Sequence, residues 1–153
     1  MKEIKKAPDF TLRDQFGNRF NLYDSLKNNP VLLVFYPKDK SPVCSAQFRH
    51  YNKNENIFKE NNIQLVGINS GSREEHLSFC KINAIKFPLL IDNELRVAGM
   101  YNALYFGKIV KRKIILINQS ADIILERTVL PIFYQTAGSI LKTGVSRKNY
   151  SEQ

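Results

Sequence analysis

Val31-Leu32-Leu33-Val34-Phe35-Tyr36-Pro37-Lys38-Asp39-Lys40-Ser41-Pro42-Val43-Cys44 is the stretch on which the fold turns. Its first six residues are apolar without a break and lie between Pro30 and Pro37, the pattern of a strand buried on both faces. Ser41 has the chemistry of an N-cap, and Pro42 suits the first helical position, where no amide donor is needed. Cys44 then falls in the first helical turn, beside free backbone N–H groups and the positive end of the helix dipole. Both stabilise a thiolate, the nucleophilic form of cysteine. Strand, loop and capped helix together read as a device for presenting one sulfur.

The elements on either side place that device in an α/β sheet. Upstream, Phe10-Thr11-Leu12 and Arg19-Phe20-Asn21-Leu22 flank Asp14-Gln15-Phe16-Gly17-Asn18, which predicts an N-terminal hairpin. Downstream, a helix is expected from Pro42 to Asn61, with a strand over Ile63–Asn69 after it. Ser72-Arg73-Glu74-Glu75 is a capping box that opens a helix running to Ala84 and carrying His76, Phe79 and Cys80. Phe87-Pro88-Leu89-Leu90-Ile91-Asp92 reads as a short strand, with a helix from Glu94 to Tyr101. Arg112–Asn118 and Asp122–Thr128 read as two further strands, and Pro131 as the start of a last helix to Lys142. Residues 143–153 are polar and form a tail; 1–142 form one domain. This alternation predicts a central mixed β-sheet flanked by helices. In such sheets sites form at the C-terminal edges of the parallel strands, and Cys44 follows one of them.

Composition removes several classes of function. The chain has 153 residues, 43% of them hydrophobic and 24% charged, enough for one well-buried core. No apolar run approaches the ~20 residues of a membrane span. The basic start, Met1 to Pro8, is followed by no apolar core region, so a secretory signal is not expected and the cytoplasm is. A formal charge of +9 invites a nucleic-acid reading. However, the lysines and arginines are scattered, clustering only at Lys108–Lys113 and Arg147-Lys148, and no zinc-finger or RNA-binding aromatic pattern is present. Cys44 and Cys80 are too far apart in sequence for a C-x-x-C pair. With His50 and His76 they could in principle bind zinc, but the usual close ligand pairs are missing, so no metal is expected.

Four ordered segments resemble the peroxiredoxins, thiol peroxidases of thioredoxin-like fold, and within them the bacterioferritin-comigratory or Q-type subgroup. Pro37, Ser41 and Cys44 meet the P-x-x-x-T/S-x-x-C signature. Ala7-Pro8-Asp9-Phe10-Thr11-Leu12 matches the usual opening, Val34-Phe35-Tyr36-Pro37-Lys38-Asp39 the active-site approach, Phe87–Asp92 the F-P-L-L-x-D segment, and Arg112–Asn118 the R-x-T-F-x-I-D strand. Two departures lie within these stretches. Serine replaces the commoner threonine at 41, and Ile114 and Ile115 replace threonine and phenylalanine.

The resemblance implies that Cys44 is the peroxidatic nucleophile, with Pro37 shaping the loop and Ser41 bonding the sulfur or the peroxide. It implies that the Arg112 guanidinium supports the thiolate and the leaving oxygen; Lys111 and Arg127 are the alternatives if the strand is shifted. Position 49, where many members of the subgroup keep a second cysteine, holds Arg49. Other members place the resolving cysteine on the following helix, an arrangement that Cys80 fits. A buried structural thiol beside Phe79 is the other reading of Cys80. The resemblance implies a peroxide substrate, recycling by thioredoxin or a similar dithiol, and no metal or organic cofactor. A monomer or weak homodimer is expected. A non-enzymatic redox sensor, signalling through a Cys44–Cys80 disulfide, is the alternative of a different class.

Overall fold

The computed structural model describes residues 3–39, 41–129 and 134–142. The N-terminal hairpin pairs β1 (Thr11–Arg13) with β2 (Arg19–Asn21). A short helix, α1 (Leu22–Leu26), follows; the sequence reading ends the strand at Leu22 and places no helix there. Asn21 caps it by accepting a hydrogen bond from Asp24 N. Then come β3 (Val31–Phe35), α2 (Pro42–Lys53), α3 (Glu55–Glu60), β4 (Gln64–Asn69), α4 (Arg73–Asn83), β5 (Leu89–Ile91) and α5 (Arg96–Met100). A second small hairpin, β6 (Leu104–Tyr105) with β7 (Ile109–Val110), precedes β8 (Arg112–Ile117) and β9 (Ile123–Val129). A last helix, α6, occupies 137–142. The expected start of that helix at Pro131 and the polar tail 143–153 lie outside the described residues.

The central sheet runs β5-β4-β3-β8-β9, with β3, β4 and β5 parallel and β8 and β9 antiparallel. It is the mixed sheet that the order of elements implied. All five residues of β3 are buried, and the pleat divides them between two cores. Val31, Leu33 and Phe35 face α1, α5 and the N-terminal hairpin, together with Val66, Ile68, Ile115 and Ile117. Leu32 and Val34 face the opposite way, with Tyr36, Cys44, Phe48, Tyr51, Phe79, Cys80, Ala137 and Ile140. The functional candidates belong to this second core, under α2, α4 and α6.

The helix expected over Pro42–Asn61 is two helices. Asn54 interrupts it: its side-chain Nδ2 donates to the His50 carbonyl at 2.8 Å, and its backbone leaves the helical region at φ −102°, ψ 23°. A short polar side chain that bonds nearby backbone in this way competes with the helical ladder. The helix expected from Glu94 begins at Arg96, because the Asp92 carboxylate accepts from Val97 N and Ala98 N and sets its first turn. Gly67 lets α2 settle on the sheet: a Cβ there would stand 3.0 Å from Phe48 Cε1 and 2.6 Å from Leu89 Cδ2.

Candidate active site

The start of α2 is built as its sequence demands. Ser41 is the N-cap in extended backbone (φ −68°, ψ 144°), Pro42 is the first helical residue, and Ser41 Oγ accepts from Cys44 N at 3.1 Å. Cys44 is fully buried. Pro37, half-buried, ends the chain's run out of β3.

Arg112 reaches this sulfur from the sheet. β3 and β8 are antiparallel with Phe35 opposite Lys113, so Arg112 lies at the end of β8 where the Cys44 loop leaves β3. Its side chain is on the same face as Ile114 and Leu116, and it is buried. Arg112 Nη2 donates to Cys44 Sγ at 3.2 Å, and Nη1 donates to Gln47 Oε1 at 2.6 Å. The two alternatives to Arg112 lie elsewhere: Lys111 sits over the Tyr105 ring, and Arg127 is exposed. Gln47, one helical turn after Cys44, was missed by the sequence reading. Its signal was available, since a polar residue at i+3 from the cysteine on a helix start shares its face.

Cys80 lies on α4 in the same core. Gln15, from the loop of the first hairpin, donates from Nε2 to Cys80 Sγ at 3.3 Å and accepts from Leu89 N at Oε1, 2.8 Å. Burial pushes the Cys80 thiol up to about 11; the Gln15 bond works against this, and the nearby Asp39 and Asp14 carboxylates add to it. Both cysteines are free thiols. The helix turn that carries Cys80 ends under strain. Ala84 caps it in left-handed backbone, φ 53°, a position where glycine avoids a cost of about 1 kcal/mol.

A buried polar cluster joins the two cysteine segments. His76 Nδ1 lies 2.6 Å from Asp39 Oδ2, Tyr36 Oη donates to Asp39 Oδ1 at 2.7 Å, and His76 Nε2 is 3.2 Å from the Leu90 carbonyl. Burial, followed by the Asp39 carboxylate, holds the Tyr36 hydroxyl well above its ordinary range. Asp39 precedes Cys44 by five residues and His76 precedes Cys80 by four. The pair therefore ties the loop before α2 to the first turn of α4. His50 is engaged elsewhere, its Nε2 accepting from Ala137 N at 3.0 Å.

A buried cysteine at a capped helix start, with an arginine donating to its sulfur at the edge of a thioredoxin-like sheet, defines a site for thiol chemistry. The chain belongs to the AhpC/TSA family, whose model matches residues 4–125. Within it the chain falls in the Bcp and Q subgroup of peroxiredoxins. It is 36% identical to the Bcp peroxiredoxin of Helicobacter pylori over 105 residues, which cover 67% of this chain and 65% of that one. It is 30% identical to peroxiredoxin Bcp of Bacillus subtilis over 129 residues, covering 80% and 82%. Among solved structures, the reduced 2-Cys peroxiredoxin of Plasmodium vivax superposes with a TM-score of 0.88 at 25% identity, covering 97% of this chain and 98% of that one.

Proposed function

We propose that the chain is a thiol-dependent peroxidase that reduces hydrogen peroxide and organic hydroperoxides through Cys44 and recycles through Cys80. The observation that carries this reading is the Arg112 guanidinium donating to a cysteine sulfur that is itself seated in the first turn of a capped helix. Both stabilise negative charge on sulfur. The same guanidinium can receive the charge that develops on the departing oxygen.

In the first step the Cys44 thiolate attacks one peroxide oxygen. The S–O bond forms, the O–O bond breaks, and the other oxygen leaves as alcohol or water after taking a proton. Sulfur is oxidised to a sulfenic acid. In the second step the Cys80 thiol gives up its proton and attacks the Cys44 sulfur; an S–S bond forms and the hydroxyl departs as water. A dithiol of thioredoxin type then reduces the disulfide and becomes a disulfide itself. The family membership and the Bcp relatives support the chemistry. Cys44, Arg112, Gln47 and Cys80 all come from one chain, so a monomer or weak homodimer suffices for this chemistry; the place we assign it is the cytoplasm.

A disulfide needs Cα atoms within roughly 4.4–6.8 Å. Cys44 is held in the first turn of α2 by Ser41, and the Cys80 carbonyl accepts from both Ala84 N and Ile85 N at the end of α4. We expect one or both of these turns to unwind during turnover, because the two cysteines sit on separate helices that these bonds hold closed, and the left-handed Ala84 marks the end of α4 as the easier to open. Mass spectrometry after one equivalent of hydrogen peroxide tests the reading. An intramolecular disulfide between 44 and 80 is the expected product. Oxidation of Cys44 that never links to Cys80 would remove the resolving role, and a Cys44 inert to peroxide would remove the function.

A further inference from the structure

A continuous line of hydrogen bonds leaves the Cys44 site along α2. Arg112 Nη2 donates to Cys44 Sγ and Nη1 to Gln47 Oε1; Gln47 Nε2 donates to Tyr51 Oη at 3.1 Å; Tyr51 Oη donates to the Gln135 carbonyl at 2.7 Å. A guanidinium only donates and a carbonyl only accepts, so the sense of every bond between them is fixed. The Gln47 amide cannot turn over, because its NH₂ would then face the guanidinium. The Tyr51 hydroxyl cannot rotate away without leaving Gln135 O unpaired.

The line ends on the main chain of the C-terminal segment. That segment has a second attachment one residue earlier on α2, where His50 Nε2 accepts from Ala137 N at 3.0 Å. Ala137 and Ile140 complete the seat by packing into the core that holds Cys44, Phe48 and Tyr51. Two adjacent side chains of α2 thus grip residues 135–137 by backbone atoms. One of them also bonds the residue that contacts Arg112.

We propose that Tyr51 is a positioning residue for the peroxide reaction, anchoring Gln47 to the docked 134–142 segment and so holding the Arg112 guanidinium on the Cys44 sulfur. The inference rests on the peroxidase reading of the same site. Removing the Tyr51 hydroxyl leaves the buried Gln47 NH₂ without that partner, and the side chain shifts without turning over to find another, pulling Oε1 and the Arg112 Nη1 bonded to it off their present position. The tyrosine ring packs on Phe48 and Phe58, and phenylalanine preserves both contacts. What is lost is the aim of the guanidinium. A departing alkoxide or hydroxide needs a placed donor, whereas the iodide leaving during alkylation by iodoacetamide does not.

The test compares two rates at Cys44, read on its own peptide by mass spectrometry: oxidation by hydrogen peroxide and alkylation by iodoacetamide, each taken at a pH high enough that the rate no longer rises with pH, so that any loss of thiolate stabilisation drops out of both. In Tyr51→Phe the peroxide rate is expected to fall about three- to tenfold, with alkylation changed by less than about twofold, so that the ratio of the two falls. Gln47→Met is expected to give a similar fall, and the double variant no further fall, because both act through one line. An unchanged ratio in Tyr51→Phe, an equal loss of both rates, or additive losses in the double variant overturns the proposal and leaves the peroxidase reading standing. A wild-type Cys44 that alkylates but does not react with peroxide overturns both.

Discussion

Replacing Asp39 tests the proton count of its buried pair with His76. The Leu90 carbonyl can only accept, so the facing His76 Nε2 carries a hydrogen. Nδ1 lies 2.6 Å from Asp39 Oδ2, a contact that requires one further proton between them. Tyr36 supplies the hydrogen for the other carboxylate oxygen. Asp39→Ala strips both His76 Nδ1 and the Tyr36 hydroxyl of their partner in a site where His76 and Tyr36 are fully buried. Breaking a buried pair from one side costs about 3–5 kcal/mol, a large share of the roughly 5–15 kcal/mol that holds a domain folded. Asp39→Asn should behave differently. Its amide oxygen still accepts from Tyr36, and its NH₂ donates to a neutral His76 whose Nε2–H still reaches Leu90, so the expected cost is under about 1.5 kcal/mol. Urea unfolding followed by circular dichroism separates the two. With m near 2 kcal/mol/M, Asp39→Ala lowers the midpoint by about 2 M and Asp39→Asn by well under 1 M. An alanine variant within 1 kcal/mol of wild type, or an asparagine variant as damaged as alanine, would refute the reasoning.

Four other residues carry expected outcomes. Arg112→Lys keeps a charge but loses the fork that contacts both Cys44 and Gln47, so peroxide reduction in a coupled thioredoxin assay should slow by roughly 10²-fold. With its thiol at about 11, Cys80 in the folded, reduced protein should react with iodoacetamide at pH 8 about a hundredfold more slowly than an unfolded thiol. The raised value means that folding favours the protonated thiol. Its stabilising effect is complete below the ordinary thiol range and is lost as pH rises toward 11, which pH-dependent melting of wild type against Cys80→Ser will show. Burial, then Lys53, lowers His50, so folding favours the neutral ring that accepts from Ala137. That contribution is present above about 6.5 and is lost as pH falls through the lowered value; wild type should lose melting temperature below pH 6.5 more steeply than His50→Gln. Finally, Ala84→Gly relieves the left-handed helix end and should raise stability by about 0.5–1 kcal/mol while slowing formation of the disulfide.

Much of this arrangement was readable from local chemistry. Ser41, Pro42 and Cys44 announce their helix start because capping acts over three residues, and the Ser72–Glu75 box does the same for α4. The two-sided strand at Val31 follows from an apolar run between prolines. What escaped depends on contacts between distant segments. Gln15 and Cys80 meet only when the hairpin folds against β5, and nothing near Gln15 marks it as a partner for sulfur. Asp39 stood inside the stretch that decided the fold, yet its bond to His76 depends on how α4 leaves β4. The break at Asn54 escaped for another reason: the apolar pattern continues through Ile57 and Phe58, and periodicity does not register one side chain bonding back to a carbonyl. The β6–β7 hairpin was missed because two-residue strands carry almost no pattern.

The different surroundings of Cys44 and Cys80 amount to a clock. The two side chains are chemically identical and share one core. One faces a guanidinium at a helix start; the other is buried under a single amide, its thiol pushed up to about 11. An oxidant entering the resting protein meets one sulfur equipped to attack it and another that is not. In the proposed cycle the second becomes competent when its helix opens, after oxidation of the first. The sequence of the two sulfur reactions is thus written into the folded state.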